Sequence, residues 1–131
     1  MKTLLIISLA IFGNLLPQVD QAPIALDDVC RAIGSGNVAE LSAVMDEEVQ
    51  LTILDKEDFY SKAQAATVLK SFFSTNTPSS FGKVHQGASK AADAEYCIGT
   101  LATAKGPFRV YVYVAKKSTG VLLQEIRFER E

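Results

Sequence analysis

Residues 108–117 read FRVYVYVAKK, and this stretch decides the fold. Val110, Val112 and Val114 take one face of it, and Arg109, Tyr111 and Tyr113 take the other. Alternation at a period of two marks a strand with two unlike faces, and its content of Val and Tyr suits a central place in a sheet. The chain keeps the same habit on either side. Candidate strands run from Phe81 to Ser89, Glu95 to Thr103, Phe108 to Lys116 and Val121 to Glu129. Ala91-Ala92-Asp93, Lys105-Gly106-Pro107 and Ser118-Thr119-Gly120 separate them. Connections this short join antiparallel neighbours, so the spacing predicts a four-stranded meander.

Upstream the period changes. Leu26, Val29, Cys30 and Ile33 recur at helical spacing, with Asp27 and Asp28 in the first turn, where negative charge complements the helix dipole. Gly34-Ser35-Gly36 ends that helix, and Asn37 followed by Glu40 opens another whose stripe is Val38, Leu41, Val44 and Met45. Asp46-Glu47-Glu48 stops it, and Val49, Leu51 and Ile53 then alternate with Gln50 and Thr52 as a half-buried strand. Phe59-Tyr60 is read as a very short return strand. Ser61 with Gln64 is a capping-box signal for a third helix carrying Ala65, Val68, Leu69, Phe72 and Phe73, which Pro78 closes. Helix, helix, strand, helix and four long strands make an α+β domain. Its natural form is a curved antiparallel sheet with three helices packed on one face.

The chain of 131 residues is long enough for one domain, and 48% hydrophobic with 21% charged residues is an ordinary globular balance. A net charge of −2 and a pI near 5.4, with Lys116-Lys117 as the longest basic run, argue against nucleic acid as a partner. Lys2 followed by the apolar run Leu4 to Leu16 reads as a signal peptide over residues 1–22, cleaved between 22 and 25. The run is shorter than the roughly 20 residues of a membrane span, so none is expected after cleavage. Export to the periplasm or beyond follows. There Cys30 and Cys97 would either bridge, for about 4 kcal/mol in the chain-entropy model, or remain two buried thiols.

The element order from Ala25 to Glu131, with the step Phe59-Tyr60-Ser61-Lys62-Ala63 before a helix ending in Phe72-Phe73, resembles the nuclear transport factor 2-like superfamily. That superfamily is also called SnoaL-like or cystatin-like. Within it, the N-terminal signal, Val84-His85-Gln86-Gly87, Tyr96-Cys97-Ile98-Gly99-Thr100 and Phe108-Arg109-Val110-Tyr111 resemble a small exported bacterial family of unknown function. The resemblance implies a cone between sheet and helices, where the enzymes of the superfamily work, and an outer sheet face that often makes dimers. It implies no activity here, because one fold hosts many. The paired histidines of the dehydratases are missing, and only Glu125 offers a carboxylate within an apolar strand.

No catalytic motif, cofactor loop or metal-ligand spacing is legible, so no cofactor and no metal are expected. Two readings stand. In the first, Arg109, Tyr111 and Tyr113 face outward and form an interface, because Tyr and Arg combine apolar area with polar tips. The protein is then a non-enzymatic module, a homodimer through its sheet. In the second, His85 and Tyr96 are polar contacts in a cone that holds a small apolar molecule, as a binder or an enzyme of isomerase or dehydratase type. A slip of one residue in register exchanges the two faces.

Overall fold

The computed structural model describes residues 23–131; the signal-peptide reading of residues 1–22 lies outside them. The elements are α1 (Leu26–Ser35), α2 (Val38–Ala43), β1 (Met45–Ile53), β2 (Lys56–Ser61), α3 (Lys62–Thr75), β3 (Pro78–Ser89), β4 (Ala94–Thr103), β5 (Phe108–Lys117) and β6 (Gly120–Arg130). Their helix starts follow the caps. Asn37 Oδ1 accepts the Glu40 N–H at 3.1 Å. Ser61 Oγ accepts the Gln64 N–H at 3.3 Å while Gln64 Oε1 accepts the Ser61 N–H at 3.4 Å, a reciprocal box that satisfies two otherwise orphan donors. No helix among the described residues is long and apolar enough to cross a membrane.

The strands form one curved, unclosed sheet in the order β2-β1-β6-β5-β4-β3. The meander β3-β4-β5-β6 is antiparallel throughout, as the short turns require. Two features differ from the sequence reading. β2 is a full strand of six residues pairing with β1 from Glu48↔Ser61 to Ile53↔Lys56. And β1 starts at Met45, running parallel to β6 through Met45↔Leu123 and Leu51↔Ile126, so the sheet is mixed at this one pair. The Leu123 N–H donates to the Val44 carbonyl at 2.7 Å, which draws the chain out of helix before the acidic triplet. Tertiary pairing overrides the local helical stripe there.

All three helices pack on the inner face of the sheet. In successive strands that face carries Leu51, Ile126, Val112 and Cys97 in one row, and Ile53, Phe128, Val110 and Gly99 in the next. Against it α3 drives Phe72 and Phe73. The Phe72 ring centroid lies 4.3 Å from that of Phe128 and 5.2 Å from that of Phe108, edge-on to the latter. Leu26, Val29 and Ile33 of α1 and Leu41 of α2 complete the core. The cone interior is therefore filled by side chains.

One close approach fixes how β3 lies on β4. Phe81 folds over Gly99, where an added Cβ would sit 2.4 Å from Phe81 Cζ and 2.6 Å from the Gly82 carbonyl oxygen. Phe81 packs against the core, and the carbonyl belongs to the β3 backbone, which cannot turn aside as a side chain can. Gly99→Ala is expected to cost about 2–3 kcal/mol, as overpacking of a tight site does. Urea denaturation followed by circular dichroism measures it; an unchanged midpoint would show that β3 shifts freely.

Candidate functional site

The face of the sheet turned away from the helices carries the polar and aromatic residues, and strand pairing sorts them into rows. One row runs Phe59, Gln50, Glu125, Tyr113, Tyr96 and Gly87 from β2 to β3. The next runs Glu57, Thr52, Arg127, Tyr111, Ile98 and His85. A third holds Glu129, Arg109 and Thr100. Phe59 is 60% exposed and Tyr113 is 40% exposed, unusual values for large rings on paired strands.

Contacts along the rows hold these side chains in place. Tyr96 and Tyr113 stack with centroids 5.8 Å apart, and the His85 ring lies 5.7 Å from Tyr96. His85 Nε2 and Tyr96 Oη are hydrogen-bonded at 3.1 Å. Tyr96 also lies flat over Gly87, where a Cβ would meet its hydroxyl at 2.5 Å; the ring covers backbone that a side chain would occupy. Arg127 sits 5.6 Å over the Tyr111 ring and reaches Glu125 at 3.4 Å and Glu129 at 4.0 Å. Arg109 donates to Glu131 Oε1 at 2.6 Å.

Charge on this face responds to burial and pairing. Burial raises the Glu125 carboxyl above its ordinary value, and Arg127 opposes the rise. The hydrogen bond from Arg109 holds the Glu131 carboxyl below its ordinary value. A shallow depression bounded by Glu48, Gln50, Phe59, Tyr113, Gln124 and Glu125 joins the two exposed rings and gives them an acidic rim.

The structure thus gathers five expected residues, His85, Tyr96, Arg109, Tyr111 and Tyr113, on one outer face. For His85 and Tyr96 this is the face opposite the cone. The cause is a β-bulge. Lys83 pairs with Gly99 and His85 with Ile98, so Val84 is an extra residue that turns His85 outward. Tyr96 pairs with Tyr113 and shares its face. Cys30 and Cys97 lie elsewhere, buried between α1 and β4 as free cysteines with their sulfurs 2.7 Å apart. Sequence reasoning missed Phe59 and Arg127. The alternation of β2 about Phe59 was the available signal for the first, and the Arg127 step within β6 for the second. Among the described residues no three His, Cys, Asp or Glu side chains gather to hold a metal ion.

A family model described as a domain of unknown function, DUF4783, matches residues 26–129. The solved structure of a DUF4783 family protein from Bacteroides uniformis ATCC 8492 is 30% identical, with a TM-score of 0.74 over 81% of this chain and 96% of that one. Its counterpart from Bacteroides fragilis YCH46 is 32% identical, with a TM-score of 0.72 over 79% of this chain and 95% of that one. At 6% identity a putative polyketide cyclase from Sinorhizobium meliloti shares the fold alone, with a TM-score of 0.55 over 75% of this chain and 86% of that one. The architecture is nuclear transport factor 2-like. No curated protein matches the sequence.

Proposed function

The chain belongs to the DUF4783 family, whose function is unknown, and on that premise we propose an exported, non-enzymatic interaction module that pairs with a second copy through its outer sheet face. The observation that carries the reading is the ordered Tyr, Arg and His surface, which no element among the described residues covers. A two-fold interface brings one patch against itself, so the patch must complement itself. This one does. Arg127 stands between Glu125 and Glu129 in adjacent positions, and the rings of Phe59 and Tyr113 supply apolar area. Six strands about 4.8 Å apart, over roughly eight residues of about 3.3 Å each, present roughly 750 Å². Two such faces bury about 1,500 Å², within the range of a stable dimer.

A small apolar ligand in the cone finds less support. The polar contacts expected for it stand on the opposite face, and Phe72, Phe108 and Phe128 occupy the interior. Export rests on the apolar run behind Lys2. Sedimentation velocity of the purified protein tests the pairing. A concentration-dependent dimer is expected, with amide exchange on β4, β5 and β6 slower in the dimer than in the monomer. A monomer at every concentration up to the solubility limit overturns the proposal.

A further inference from the structure

Cys30 projects from the buried face of α1, and Cys97 from the inner face of β4, 67 positions later in the chain. Helix-on-sheet packing brings their sulfurs to 2.7 Å with no atom between them, closer than unbonded sulfur atoms rest. The two are not equivalent. Cys97 is wholly buried beneath the helix, whereas Cys30 borders a surface depression walled by Asp27, Gly34, Phe81 and Lys83. Lys83 crosses from β3 to Asp27 at 2.6 Å and stands at the mouth of this depression.

We propose that Cys30 and Cys97 are a disulfide-forming pair, oxidised through Cys30 by a small-molecule or protein disulfide, that staples α1 to β4. The exchange runs in two steps. Cys30 thiolate attacks one sulfur of the oxidant disulfide, which releases a thiolate and leaves a mixed disulfide on Cys30. Cys97 then loses its proton and attacks Cys30 Sγ, expelling the second thiolate of the oxidant. Two thiols of the chain become one disulfide, and the oxidant takes up their two electrons and two protons as two thiols.

The electrostatics favour this order. A hydrogen bond from the Cys97 thiol, aided by the Lys83 ammonium, lowers the Cys30 thiol against the opposing effect of burial. The same hydrogen bond and burial raise Cys97. Deprotonation of the pair is therefore favoured at Cys30, the cysteine that lines the surface depression, and a thiolate beside an opening is the condition for exchange. The staple joins two elements that sequence places far apart, and it is independent of whether the outer face pairs.

Intact mass spectrometry of the full chain tests it. The folded, reduced protein is treated with oxidised glutathione, quenched with an alkylating agent and denatured. Loss of two hydrogens, loss of both alkylation sites and a Cys30–Cys97 linked peptide are expected, with a higher melting temperature than the reduced form. In Cys97→Ala a glutathione adduct accumulates on Cys30, whereas Cys30→Ala stays unmodified at Cys97 while folded. Should either variant fail to fold, native-state alkylation of the wild type replaces it, with Cys30 labelled faster than Cys97. Two cysteines that remain alkylatable after oxidation, or that link only between molecules, overturn the pairing. Labelling of Cys97 ahead of Cys30 overturns the order.

Discussion

Phe128→Ala is expected to cost about 3–5 kcal/mol, the range for deleting a large buried ring. Phe128 is fully buried in β6, the strand that pairs with both β1 and β5. Its ring lies 4.3 Å from Phe72 and 6.1 Å, edge-on, from Phe73. Removing it leaves a cavity where α3 meets the centre of the sheet, and neither backbone is free to collapse into it. A domain of this size has about 5–15 kcal/mol of stability in total, so the variant loses a large part of it. Phe128→Leu keeps most of the volume and is expected to lose much less. Urea unfolding of both variants measures the difference. If the alanine variant unfolds within about 1 kcal/mol of the wild type, the ring cluster is not the centre of this core.

Tyr113→Glu is expected to dissociate the proposed dimer, weakening it by about 2–4 kcal/mol, or some two orders of magnitude in Kd. Three effects act together. The ring that stacks on Tyr96 is lost. A new carboxylate stands directly across from Glu125, and like charges in opposed strand positions repel. In a two-fold interface the change also occurs twice. Tyr113 is 40% exposed in the single chain and outside the core, so the fold tolerates these local losses better than it would the loss of a core ring. Lys70→Glu, on the exposed side of α3, is the control and leaves pairing intact. Sedimentation of the three proteins at equal concentration decides: a Tyr113→Glu protein that still dimerises with wild-type affinity places the interface elsewhere.

Much of this molecule was legible in local patterns. The stripe Leu26, Val29, Cys30 and Ile33 is buried in α1 as its spacing requires. The Ser61–Gln64 box starts α3. Alternation in residues 108–117 set the valines of β5 on one face and Arg109, Tyr111 and Tyr113 on the other, and the packing turned the valines inward. In each case the signal and its cause lie within a few residues, where helix and strand periods act directly on the chain.

What only the tertiary structure decided depends on partners distant in sequence. The parallel pairing of β1 with β6 recruits Met45 and Val44 into sheet geometry, against the helical stripe they complete. One extra residue at Val84 inverts the side on which His85 falls, and no spacing in the sequence marks that bulge. The filling of the cone comes from how α3 lies across β6. Composition and periodicity determined the elements and their faces, because burying an apolar stripe is favourable wherever its partner lies. Which strand lies beside which, where register shifts, and that Cys30 meets Cys97 were set by packing among all the elements at once.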